Sequence, residues 1–186
     1  MKEKLKKYIF YFFVFAIFGW CWEIIVNIVL KHGLVNPGTL RGPWLPIYGW
    51  GIIITLLLSK KIDNKYLLFI ALFLVCGIVE YSTSLYLEHF YHRRWWNYSR
   101  YLLNINGRVC VEALLIFATI AMLSLRYAVP FLDKLYKKIS PKVMTIVLSI
   151  VASIFIVDYI ISTIEPNRIK RKVGNINVEY NLKERI

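Results

Sequence analysis

The chain has 186 residues, of which 58% are hydrophobic and 16% aromatic, and it carries a net charge of +13 at a mean hydropathy of +0.53. That hydropathy excludes an ordinary water-soluble surface and fits one compact membrane domain. In a soluble protein the charge would suggest nucleic acid. Here the basic residues sit in short segments between apolar runs, so they read as topology signals and anionic-lipid contacts, and no nucleic-acid partner is expected.

A hydrocarbon core of about 30 Å needs roughly 20 apolar residues in a helix. Five stretches meet or approach this. Tyr8–Leu30 comes first and is too long for a cleaved leader, with no small-residue cleavage site after it, so it is expected to stay as an anchor. Pro43–Ser59 is short and opens among glycines; Tyr66–Phe90, Arg108–Leu125 and Val143–Ile164 follow. Between the last two, Val129–Lys138 alternates Phe131, Leu132, Leu135 and Tyr136 with Asp133, Lys134 and Lys137, the pattern of a short interfacial amphipathic helix. The predicted fold is therefore all-α, an integral membrane helical bundle over residues 1–165. A polar basic tail, 166–186, is expected to lie on the surface and to be dispensable for folding. The odd cysteine count, Cys21, Cys76 and Cys110, argues for packed free thiols rather than a disulfide framework.

Basic residues predict the topology. Lys2, Lys4, Lys6, Lys7, Lys60, Lys61, Lys65, Arg126, Lys134, Lys137, Lys138 and Lys142 make twelve on one side. The opposite loops hold six: Lys31, Arg41, Arg93, Arg94, Arg100 and Arg108. This asymmetry places the amino terminus in the cytoplasm of a multi-pass cell-membrane protein. The tail dissents, because five crossings leave Arg168, Lys170, Arg171 and Lys172 outside.

Of eleven acidic residues, six lie within or at the ends of apolar stretches: Glu23, Glu80, Glu88, Glu112, Asp158 and Glu165. Each intramembrane charge costs about 2.5–3.5 kcal/mol on insertion scales, so such residues need partners and by default mark a site. Alternating crossings put Glu23, Glu80, Glu88, Asp158 and Glu112 in the same half of the bilayer, beside Arg41 and Arg108. Gly19, Glu23 and Asn27 share one helical stripe, as do Glu80, Ser84 and Glu88, with Gly77 a turn earlier. Two readings remain open at this point. The carboxylates pair with Arg41 and Arg108 to fix packing, or they line a polar cavity on which Glu23, Glu80, Arg108 and Asp158 converge. On the second reading the substrate or proton pathway comprises Glu23, Arg41, Tyr48 and Glu80, together with Ser84, Glu88, Arg108 and Asp158.

Two loops stand out. Asn36–Gly51, NPGTLRGPWLPIYGWG, is either broken backbone at membrane depth, whose freed amides could bind an anion, or an interfacial turn. His92–Arg108 offers Trp95, Trp96, Tyr98 and Tyr101 as an aromatic belt, and Arg93, Arg94 and Arg100 for lipid phosphates. Glu88, His89 and His92 form only a loose cluster, so no metal and no cofactor is expected. Neither a phosphate-cradling GxxxxGK[ST] loop nor a G-x-S-x-G nucleophile elbow occurs.

Gly19-Trp20-Cys21-Trp22-Glu23 resembles the GWxxE of the bacterial CmpB-like family of ABC-transporter type IV permeases. Asn36–Gly51 resembles that family's N-x-G-x-L-x-GP-x-x-PIYG-x-G loop. Glu80, Glu88 and Trp95-Trp96-Asn97-Tyr98-Ser99 resemble E…E…WWDYS, with Asn97 in place of Asp. Asn106-Gly107-Arg108-Val109-Cys110 resembles N-x-G-R-V-C, whereas Glu112 and Ala113 depart from the pattern. Asp158 with Thr163 approximates the closing D-x-x-x-[ST], with Ser162 at the i+4 position. The resemblance runs from about Tyr8 to Glu165 and implies a permease-like subunit, working with a separate ATPase subunit or as a homo-oligomer. An enzyme acting on a lipid-linked phosphate, with Glu80 or Asp158 as acid or base, and a structural assembly factor are the alternatives. The catalytic residues of such an enzyme are unknown.

Overall fold

The computed structural model describes residues 3–29, 36–92, 94–167, 170–173 and 176–179. Lys2, Leu30, Lys31, Arg93 and Arg168 lie outside the described residues. The helices are α1 (Glu3–Val29), α2 (Pro46–Ser59), α3 (Lys65–Tyr91), α4 (Val111–Leu123), α5 (Val129–Lys138) and α6 (Pro141–Ile164). Two small antiparallel pairs accompany them, β1 (Asn104–Ile105) with β2 (Val109–Cys110), and β3 (Lys170–Val173) with β4 (Ile176–Glu179). The second pair falls in the polar tail.

Local chemistry sets the helix ends. The Asn64 side chain accepts from the amides of Tyr66 and Leu67 and starts α3, which stops at His92 in the left-handed region. Ser140 accepts from Val143, with Pro141 in the first turn of α6, where its missing N–H costs nothing. The amphipathic segment Val129–Lys138 is a helix as expected, but it is not separate. A π turn, Ser124–Ala128, joins α4 to α5, and the Val129 amide reaches Ser124. That widening accommodates Pro130, which can neither donate nor tolerate a regular turn before it. Four stretches are thus long and apolar enough to cross a membrane: Glu3–Val29, Lys65–Tyr91, Val111–Lys138 and Pro141–Ile164. The fifth apolar helix, α2, has 14 residues, about 21 Å at 1.5 Å per residue.

The described chain falls into two compact units, one drawn from the segment up to Trp50 and from Asp133 onward, the other from Gly51–Leu132. In the first, α1 and α6 run parallel. Near their starts, Asp133 takes the Tyr11 hydroxyl and an ion pair from Lys7 at 2.7 Å. Midway, Phe12 and Phe13 meet the Phe155 ring edge-on. At the far ends, Trp20 and Asn167 both bond to Asn36. The start of α2 runs back along α1, with Tyr48 over Gly19 and Gly49 against Phe12.

The loop before α2 is irregular backbone packed against the middle of α1. The Leu45 amide bonds to the carbonyl of Ala16 at 2.9 Å, the middle residue of α1. Leu40 and Trp44 are buried there with Ala16, beneath Val151 and Phe155. In the second unit α3 and α4 form an antiparallel pair over Leu68, Leu72 and Ala118, while Gly77 faces Leu114. The three cysteines are free, but only Cys110 is buried; Cys21 is exposed, because its position on α1 faces away from the packed stripe.

Candidate functional site

Both units carry buried or half-buried polar contacts among the residues singled out by sequence. In the first, Asp158 sits in a cradle of donors. The amides of Arg41 and Gly42 reach its two oxygens at 3.1 and 3.0 Å, the Trp44 indole donates at 2.6 Å, and the Ser162 hydroxyl at 3.1 Å. The amides freed by the broken loop do bind an anion, and it is the chain's own carboxylate. Arg41 turns its guanidinium instead to Glu165, at 2.6 Å. A turn away on α1, Glu23 accepts from the Tyr48 hydroxyl at 2.6 Å. Gly19 makes room, since a Cβ there would lie 2.3 Å from Tyr48 Cγ.

The second network lines the α3 stripe. Arg108 is 7% exposed. Its guanidinium meets Glu88 Oε2 at 2.5 Å and the Ser84 hydroxyl at 3.2 Å, and it lies 5.7 Å from the centre of the Tyr81 ring. Arg94 Nε reaches the same Glu88 oxygen at 2.9 Å, and its Nη1 donates to the Asn106 carbonyl at 3.0 Å. One turn deeper Glu80, 5% exposed, accepts from the Tyr98 hydroxyl at 2.9 Å. A charged side chain is held this deep only by partners in such geometry.

A tight turn delivers Arg108. Asn106 and Gly107 both take positive φ, 53° and 66°, and the Arg108 amide closes on Ile105 at 2.9 Å. A Cβ on Gly107 would strike the Ser99 hydroxyl at 2.4 Å. The Trp96 indole donates to the Arg108 carbonyl and Trp95 packs edge-on against Tyr91. With Tyr98 on Glu80, the three aromatics expected at an interface are half-buried partners of this network. Burial also pushes the Cys110 thiol above its ordinary range.

Of the pathway residues read from sequence, the structure joins Glu80, Ser84, Glu88 and Arg108 in one unit. It joins Glu23 with Tyr48, and Arg41 with Asp158, in the other. Glu112 takes no part in the bonds of the Arg108 network described here. The sequence reading assigns Arg94 to lipid phosphates and not to Glu88, and it gives no role to Trp44, Tyr81 or the turn at Asn106. The Asn-Gly pair, the strongest short hairpin signal, could have revealed that turn. Among the described residues no cluster of three His, Cys, Asp or Glu side chains is placed to hold a metal.

Four helices long and apolar enough to cross a membrane define an all-α protein of the multi-pass membrane class. The chain belongs to the family described as Putative ABC-transporter type IV, whose model matches residues 10–163. No curated protein matches it, and no solved structure does.

Proposed function

We propose that this chain is a permease-like membrane subunit whose polar path is lined by the α3 stripe and Arg108, in the extracytoplasmic half of a cell membrane. The observation that supports this is the buried guanidinium of Arg108 among Ser84, Glu88 and Tyr81 on the last turns of α3. Packing between α3 and α4 could be met by apolar side chains alone, as it is around Leu72 and Ala118. Placing an ionised network on such a face costs insertion energy that a substrate path would justify. The amino terminus is assigned to the cytoplasm by the loop charge asymmetry.

The sequence holds no phosphate-cradling ATPase loop, so a separate ATPase subunit supplies the energy, and the small helix count favours assembly with further copies. Purification of the tagged chain from native membranes in mild detergent tests this. Recovery of an ATPase subunit in fixed proportion is expected. Abundant tagged chain that brings down no ATPase would contradict the subunit reading.

A further inference from the structure

We propose that Arg94 and Arg108 form a binding site for a phosphate-bearing amphiphile, with the Glu88 carboxylate holding the place of the phosphate until one arrives. The inference rests on the permease reading and names the substrate class of that same network.

Three observations carry it. First, two guanidiniums converge on a single carboxylate oxygen, Glu88 Oε2, at 2.9 and 2.5 Å. One carboxylate oxygen thus serves two guanidinium forks. A phosphate brings more acceptor oxygens to the same forks, and guanidinium geometry suits them.

Second, the cations are held without Glu88. Arg108 is anchored by the Ser84 hydroxyl and Arg94 by the Asn106 carbonyl, both neutral acceptors. Glu88 is the loose member: its side chain is 35% exposed, against 9% for Arg108. An incoming anion can displace the carboxylate toward solvent and find the guanidiniums already aimed. Pre-organisation of this kind lowers the ordering cost of binding.

Third, the same loop presents apolar side chains outward. Leu102 and Leu103 are 80% and 73% exposed, and Tyr101 and Ile105 are exposed beside them. Leu103 is held at φ 52°, a left-handed conformation that a leucine adopts only under strain. A contiguous apolar loop tip next to a cationic pair matches an acyl chain next to a phosphate.

The test uses the full chain in a neutral detergent, with lipid retention followed by native mass spectrometry. The probes are phosphatidylglycerol, an uncharged diacylglycerol and inorganic phosphate. Wild-type protein is expected to retain phosphatidylglycerol over diacylglycerol. Glu88→Gln removes the internal competitor and should tighten that binding by about tenfold, while Arg94→Gln should weaken it by about tenfold, each near 1.4 kcal/mol. A purely structural salt bridge would not give opposite signs. Equal retention of both lipids, or changes of the same sign in the two variants, would overturn the site. Protection by inorganic phosphate equal to that by phosphatidylglycerol would overturn the amphiphile assignment. Loss of lipid preference with the ATPase still recovered would sink the phosphate site and leave the permease reading standing.

Discussion

Arg108 and Glu88 meet at 2.5 Å at the end of an apolar helix, and the two differ in what surrounds them: the arginine is enclosed by protein and the glutamate borders solvent. Removing the enclosed partner strands little charge on the glutamate, which keeps Arg94 and water. Arg108→Ala should therefore destabilise by about 3 kcal/mol, the low end for breaking a buried pair. Denaturant unfolding in detergent measures it. Arg108→Ala combined with Glu88→Ala should cost less than the sum of the single changes, because the two act as one unit. Strict additivity would mean that the contact is not energetically coupled.

Asp158 holds the broken loop, so its loss should free that loop before it disturbs the helices. Asp158→Ala leaves the Arg41 and Gly42 amides and the Trp44 indole without their acceptor, at about 1–3 kcal/mol for each group that stays dry. Hydrogen exchange should accelerate across Asn36–Leu45 while the core of α3 stays protected. Unchanged protection of the Arg41 and Gly42 amides would show that another group secures the loop.

Two glycines separate close packing from helix propensity. Gly19→Ala would push its new carbon into the base of the Tyr48 side chain, costing about 1–3 kcal/mol by overpacking and straining the Tyr48–Glu23 bond. Gly51 lies inside α2 with nothing within 4 Å of its Cβ position. Gly51→Ala should be neutral or stabilising by about 0.5–1 kcal/mol, the helix penalty of glycine. Thermal unfolding of the two variants in parallel decides the matter, and equal effects would refute the close approach of α1 and α2.

Much of this was legible in the sequence, for physical reasons that differ by element. Hydrophobic run length exposed the long crossings. The scarcity of acids made Glu80, Glu88 and Asp158 conspicuous, and the Glu80, Ser84, Glu88 spacing placed three side chains on one stripe. Arg108 was identifiable as a partner because few other cations share its depth. The partner of Asp158 was not, because backbone amides leave no mark on the sequence beyond the glycines and prolines that free them. Arg41 was expected to give its side chain to an intramembrane acid, and it gives Asp158 only its amide. The union of α4 and α5 was hidden because Pro130 reads as a break, and only the π turn before it restores continuity.

The central claim is that the α3 stripe is a path for polar species and not an internal brace, and the accessibility of Ser84 to water tests it most directly. Ser84→Cys is close in size to the native residue and can be placed in a chain lacking Cys21, Cys76 and Cys110. Membrane vesicles are then treated with a charged, impermeant thiol reagent. Arg100→Cys on the exposed loop serves as the reactive control and Ile78→Cys, at an exposed apolar position of α3, as the unreactive one. The account expects Ser84→Cys to be modified from the side on which Arg100→Cys reacts. Folded protein whose Ser84→Cys thiol stays unmodified, while Arg100→Cys is labelled, would contradict it and leave the Arg108 network as a structural brace between α3 and the loop that follows it.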